Sequence, residues 1–268
     1  MTAAASEPGT LDIARVIQQT FSVLGRNFVT YFILALILAG VPYAIIGLVQ
    51  ASTMSTVTET GPGFAYSLAT MRTTGIGAIA AVITGCILQG AIIFATVQDM
   101  NGAKPSVGDS LATGLRAFLP LLGVSILFGL AVGFGLVLLI VPGLMIACAW
   151  CVAVPALVAE RTGVLGAFGR AADLTRHNRW RVFGLFVLVW VATLIIGGVL
   201  GLLITMLTFG SGGLDPVRLA LNPVRIIGSA LINSLTAMLS ATGVAVLYVE
   251  LRKAKDGVGP QWLADIFT

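Results

Sequence analysis

Residues 117–159 read AFLPLLGVSILFGLAVGFGLVLLIVPGLMIACAWCVAVPALVA, without one charged side chain. A helix needs ~20 residues to cross the hydrocarbon core of a bilayer, so a run about twice as long must cross, turn and cross back. Pro142-Gly143 supplies the expected break: proline lacks an amide donor and restricts the residue before it, and glycine allows a reversal. The reading is a tight hairpin of two spans, 117–140 and 143–159, with almost no outer loop. Pro155, near the end of the second, is expected to kink it while a neighbour or water takes up the freed carbonyl.

Working outward, residues 28–49, 74–97, 182–205 and 226–249 are also uncharged and long enough to span. Charged residues make up 10% of the chain and hydrophobic ones 57%, so no water-soluble surface can be built from it. The expected fold class is an all-α membrane protein with six transmembrane helices, residues 1–268 forming one integral membrane domain. The opening MTAAASEPGTLD has neither a basic lead-in nor an early apolar core, so a cleavable signal peptide is not expected. Cys86, Cys148 and Cys151 all lie in apolar runs and read as small buried hydrophobes.

Three segments between the spans are amphipathic. In 11–27, Ile13, Val16, Ile17, Phe21, Leu24 and Phe28 recur at helical spacing, with Thr10 or Asp12 available as a cap. The others are 106–116 and 163–180, the latter with Leu165, Phe168 and Ala172 on one side and Arg170, Asp173, His177 and Arg181 on another. Loops are expected across the polar stretch 51–72, centred on Gly61-Pro62-Gly63, and at 210–216, while the tail 257–268 could form one more short interfacial helix.

Basic residues set the orientation. With the N-terminus inside, Arg15, Arg26, Lys104, Arg116, Arg161, Arg170, Arg176, Arg179, Arg181, Arg252, Lys253 and Lys255 are cytoplasmic, leaving Arg72, Arg218 and Arg225 outside. Both termini, and the amphipathic segments, then face the cytoplasm. Each inward span closes on an acid, at Asp99, Glu160 and Glu250, and each outward span follows an amphipathic segment. The expected unit is amphipathic helix, outward span, inward span, used three times with rough threefold pseudosymmetry. A carboxylate at a helix C-terminus opposes the macrodipole, so these three are expected in ion pairs, Glu160 with Arg170 or Arg181.

The run from Val141 to Leu185 and the closing GVAVLYVELRKAKDGV carry a resemblance. A Pro-Gly hairpin, Trp150, a Pro155 to Glu160 exit, the Ala167, Arg170, Leu174, Trp180, Val182, Gly184 series, and Leu247-Tyr248 with Leu251-Arg252 resemble the glycerophosphoryl diester phosphodiesterase membrane-domain family. The resemblance implies a bacterial inner-membrane helical bundle. Its name comes from fusions to a phosphodiesterase barrel that these residues do not contain, so that activity is not carried over.

The residues themselves point to no reaction. Phosphodiester hydrolysis needs metal-binding carboxylates and a His pair, and His177 is the only histidine. No HExxH, Walker loop, GxSxG elbow or paired carboxylates occurs, so no enzyme, cofactor or metal is expected. Gln89 and Asn233 are the strong mid-span amides and read first as interhelical hydrogen bonders; Gly129-x-x-x-Gly133 and Gly197-x-x-x-Gly201 read as close helix packing. Arg170, Arg176, Arg179 and Arg181 with Trp180 form a cluster suited to anionic headgroups. A net charge of +4 is too small for a nucleic-acid binder.

The expected function is non-catalytic: lipid organisation, membrane homeostasis or partner scaffolding in the inner membrane. Its partners are membrane lipids, anionic ones included, with a protein partner or homo-oligomer open. The alternative is a transporter or lipid-translocating protein with a pathway between helix pairs.

Overall fold

A computed structural model describes residues 11–58, 64–160, 162–212 and 221–257, without the side chains of 54–58, 64–66 and 209–212. Among them every element is helical. In chain order these are α1 (Ile13–Arg26), α2 (Phe28–Ala35), a π turn (Leu36–Gly40), α3 (Val41–Thr58), α4 (Phe64–Met100), α5 (Val107–Arg116) and α6 (Phe118–Leu138). There follow α7 (Ile140–Trp150), α8 (Ala153–Glu160), α9 (Gly163–Thr175), α10 (Arg179–Gly212) and α11 (Pro223–Asp256). Among the described residues six stretches are long and apolar enough to cross a membrane: Phe28–Thr53, Ser67–Met100, Phe118–Leu138, Ile140–Glu160, Arg179–Thr208 and Pro223–Asp256.

Several boundaries differ from the sequence reading, for physical reasons. The hairpin breaks at Leu139, which is extended at φ −161°, and not at Pro142-Gly143. Pro142 is the third residue of α7, where its missing amide costs nothing because first-turn amides have no intrahelical acceptor. Gly143 is helical and serves close approach: a Cβ there would lie 2.6 Å from Leu136 Cγ, and one on Gly135 would lie 2.9 Å from Gly143 Cα. Pro155 is likewise the third residue of α8, and the interruption falls at Cys151 and Val152, the first of which would have accepted its amide. In span one the π turn covers Leu38, the residue four before Pro42.

The third amphipathic segment ends at Thr175, short of 180. Asn178 donates its amide to the Thr175 carbonyl (2.9 Å), and its own carbonyl accepts from Val182 N (2.9 Å), so it closes a turn and opens α10. Arg179, Trp180 and Arg181 therefore belong to the first turn of a span. Helix also extends into the expected polar loops, to Thr58 and from Phe64, and to Gly212. Gly61-Pro62-Gly63, most of 210–216, Thr10 and the tail beyond Gly257 lie outside the described residues.

The described residues fall into two compact units, one holding the chain up to Leu34, Cys86–Val189 and the part from Met238, the other Ala35–Gly85 and Trp190–Ala237. In the first, the core is built of small side chains. Ala91 and Ala95 of α4, Ala153, Ala156 and Ala159 of α8, Ala167 and Ala171 of α9 and Ala245 of α11 are all buried, which lets helix backbones approach closely where lipid offers no hydrophobic drive for association. Gly90 and Gly114 do the same between α4 and α5: a Cβ on Gly90 would sit 3.1 Å from Gly114 Cα. In the second unit Gly40 packs on Ala230 and Ser234, and Gly77 on Ile46. The glycines singled out by spacing are elsewhere: Cβ atoms on Gly129, Gly133, Gly197 or Gly201 would meet nothing within 4 Å.

Between Phe186 and Leu207 of α10 no residue is buried, and Trp190, Ile195, Leu202 and Leu207 are each mostly exposed. Water does not tolerate apolar surface on that scale, whereas lipid does. The protein is a multi-pass membrane protein.

Candidate functional site

The polar chemistry of the first unit gathers at helix ends. α8 ends on Glu160, whose carboxylate meets α9 and α11 at once. Arg170 Nε donates to both carboxylate oxygens at 3.0 Å, Tyr248 Oη donates to Oε1 at 2.9 Å, and Arg252 Nη1 lies 3.7 Å from Oε1. Arg170 also pairs with Asp256 and, at 3.7 Å, with Asp173; Lys255 pairs with Asp173 and donates to its carbonyl at 2.8 Å. Arg252 Nε stands 3.7 Å from Asp256. Glu160, Asp173 and Asp256 thus balance Arg170, Arg252 and Lys255.

This cluster answers an electrostatic problem. Glu160 sits at the negative end of the α8 dipole, and its side chain is only 13% exposed, so its charge needs opposite charge close by. The bond from Lys255 holds the Asp173 carboxyl below the ordinary carboxylate range. For Arg170, burial lowers the pKa, but the bonds to Asp256 and Glu160 outweigh it and the net shift is upward.

A smaller anchor ties α1 and α2 to α4. Asp99 accepts from Arg26 Nη2 at 2.6 Å and from Asn27 Nδ2, while Tyr31 Oη donates to Thr96 Oγ1 at 3.2 Å one turn lower. The bond to Asp99 raises the Arg26 pKa. A third anchor fixes the start of the described chain: Leu11 N donates to Asn178 Oδ1 at 3.0 Å, and Arg181 Nη1 donates to Leu11 O at 2.8 Å. Asp12 caps α1 by accepting from Arg15 N at 3.2 Å.

Beside these anchors, α4, α5, α6, α8 and the start of α9 border an open cavity of about 610 Å³, lined by Phe94, Gln98, Asp109, Thr113, Arg116, Pro120, Leu157 and Val158 among others. Gln89 and Asn233 are not among its walls.

The expected site residues separate accordingly. Asp99 and Glu160 meet cations; Glu250 is buried, and among the described residues its Oε1 has no hydrogen-bond partner and its carboxylate no ion pair. Arg170 is held by three carboxylates and Arg181 by a backbone carbonyl. Arg176 and Trp180 are exposed, Trp180 at 86%, and Arg179 is half-buried. Trp150 packs on Phe168 with ring centroids 4.6 Å apart, joining α7 to α9.

Sequence reasoning missed Tyr248, Asp256 and Lys255 as members of the cluster, although Tyr248, Arg252 and Asp256 follow one another at i, i+4, i+8. It also missed Asn27 and the cavity, whose polar residues carry no linear motif.

Residues 11–251 match the family described as a domain of unknown function, DUF7847. The chain belongs to DUF7847. The match covers α1 through most of α11, so Glu160, Arg170, Asp173 and Tyr248 of the ion cluster, the Asp99 anchor and the cavity are within the DUF7847 region, while Arg252, Lys255 and Asp256 lie just beyond it. No curated protein and no solved structure matches the chain.

Proposed function

We propose that this DUF7847 protein is a non-catalytic inner-membrane protein that organises anionic lipid at its cytoplasmic face. The observation carrying the reading is the exposure of Arg176, in the turn leading into α10, and of Trp180 in its first turn, α10 being the span whose central turns have no buried residue. Trp favours the membrane interface, and each basic group near an anionic surface contributes ~1 kcal/mol. Arg170 and Arg181 serve the fold, so the headgroup contacts fall to Arg176, Arg179 and Trp180. Both termini are cytoplasmic on the distribution of Lys and Arg, in a bacterial inner membrane as the resemblance to the glycerophosphoryl diester phosphodiesterase membrane domain implies.

The threefold repeat is part of the same proposal. α1, α5 and α9 each precede a pair of spans, and a left-handed glycine follows the closing acid by three residues twice, Gly102 after Asp99 and Gly163 after Glu160. The ion pairs are not in register, since Asp99 pairs with the helix opening its own unit and Glu160 with that of the next. The repeat is therefore one of helices more than of contacts.

The test is native mass spectrometry of protein extracted with its lipids, comparing wild type with an Arg176→Gln, Arg179→Gln, Trp180→Ala variant. The expected result is retention of anionic over zwitterionic surface lipid by wild type and loss of that preference in the variant. Equal lipid profiles would end the reading.

A further inference from the structure

The 610 Å³ cavity has a charge pattern that the cationic surface lacks. Asp109 and Arg116 both line it, seven residues apart on α5, which places their Cα atoms ~10.5 Å apart along one face. Their positions at the first and last turns of α5 suit the helix dipole. Both residues are exposed. They stand at the rim of one open cavity, and among the described residues neither has an ion-pair partner within 4 Å.

The rest of the lining says what kind of molecule would lie between them. Phe94, Pro120, Leu157 and Val158 give apolar walls, while Gln98 and Thr113 add polar groups. Gln98, Leu157 and Val158 lie near the ends of two spans and Pro120 at the start of another, so the cavity sits at the depth of the lipid headgroups. Its volume is in the range that houses a whole small ligand and far exceeds the needs of one ion.

We propose that this cavity binds the headgroup of a zwitterionic phospholipid bearing a primary ammonium, its phosphate at Arg116 and its amine at Asp109, with the glycerol and first chain carbons on Phe94, Leu157 and Val158. Arginine forks onto phosphate oxygens, and a carboxylate accepts from an ammonium that has N–H donors. A purely anionic lipid would satisfy Arg116 and be repelled by Asp109; a quaternary ammonium would have no proton to give. This site is independent of the surface reading above, which concerns α10 and anionic lipid.

The experiment titrates delipidated protein in detergent with phosphatidylethanolamine, phosphatidylcholine and phosphatidylglycerol, counting bound lipid by native mass spectrometry. With the surface cluster removed by Arg176→Gln, Arg179→Gln and Trp180→Ala, the protein is expected to hold one phosphatidylethanolamine per chain above the level of the other two. Arg116→Gln is expected to weaken it at least about tenfold, since bonds to charged groups are the stronger class. In the same background Asp109→Asn should abolish the preference for ethanolamine over glycerol headgroups, and Ala112→Phe, which fills the cavity from a lining position, should exclude all three with thermal stability retained.

Free phosphoethanolamine distinguishes a lipid from a soluble zwitterion: no displacement at millimolar concentration is expected, and displacement would overturn the lipid assignment. No headgroup preference in the background lacking the surface cluster, or unchanged binding there on Arg116→Gln and Ala112→Phe, would overturn the site. Because the α10 variant leaves the cavity intact, either proposal can fail while the other stands.

Discussion

Replacing Glu160 by Gln keeps the side chain's shape and removes the charge that Arg170 and Arg252 share. In the native protein Glu160 accepts two hydrogen bonds from Arg170 at 3.0 Å and one from Tyr248 at 2.9 Å, and the Arg252 side chain behind it is 8% exposed. Removing one partner of a buried pair costs ~3–5 kcal/mol because the other charge is left uncompensated. Here the loss should lie at the low end of that range. Arg170 retains Asp256 and Asp173, Arg252 retains Asp256, and the Gln amide oxygen still accepts from one donor.

The pairwise share is isolated by a double-mutant cycle with Arg170→Gln, measured by denaturing-detergent titration in mixed micelles. Trp150 fluorescence can follow the separation of α7 from α9 through its contact with Phe168. A coupling of ~1–3 kcal/mol is expected for residues within one such network. Additive single effects, within ~0.5 kcal/mol, would show that Glu160 and Arg170 do not stabilise each other and would refute the account of how α8 ends.

Other outcomes follow from the same geometry. Gly143→Ala should destabilise by ~1–3 kcal/mol, as overpacking does, while Gly129→Ala should be neutral or stabilising; thermal unfolding in detergent compares them. Glu250→Gln should leave stability unchanged or raise it, because the buried carboxylate has no ion pair among the described residues to lose; a drop of 2 kcal/mol or so in the same titration would reveal a cation that the geometry does not supply. Asp173 has a folded pKa below its ordinary 3.8, so as pH falls the unfolded chain takes up the proton first. Its contribution is full above about 3.8 and is lost below it, modestly because the carboxylate is half exposed, and Lys255→Met should flatten the acid limb of a stability–pH curve.

The spans were legible because absence of charge over ~20 residues has one physical solution in lipid. The helix breaks were legible only to within a few residues. Pro142 and Pro155 announce interruptions, but each proline is third in its helix, in the first turn where its missing amide is tolerated, so the breaks fall three and four residues upstream at Leu139 and Cys151. The small-residue motifs misled for a related reason: spacing shows that Gly129 and Gly133 share a helix face, not that another helix lies across from it. Glu160 could be expected to seek an arginine from its place at a helix end. Its meeting with Tyr248 and Arg252, from a segment some ninety residues away, is a product of the packed Ala-rich core and has no local trace. The cavity between α5 and α8 is hidden in the same way.

The bare circumference of α10 has a consequence for how the chain tolerates change. From Phe186 to Leu207 no residue is buried, and outside close approaches such as Ile204 against Gly228 the demand is for oiliness more than for shape. In α8, by contrast, every residue from Pro155 to Ala159 is buried, and volume matters as much as polarity. A saturation scan would therefore show two kinds of intolerance in one membrane protein. Along the exposed positions of α10, Leu, Ile, Val, Met and Phe would be interchangeable and charges refused; along α8, even one added methylene would register.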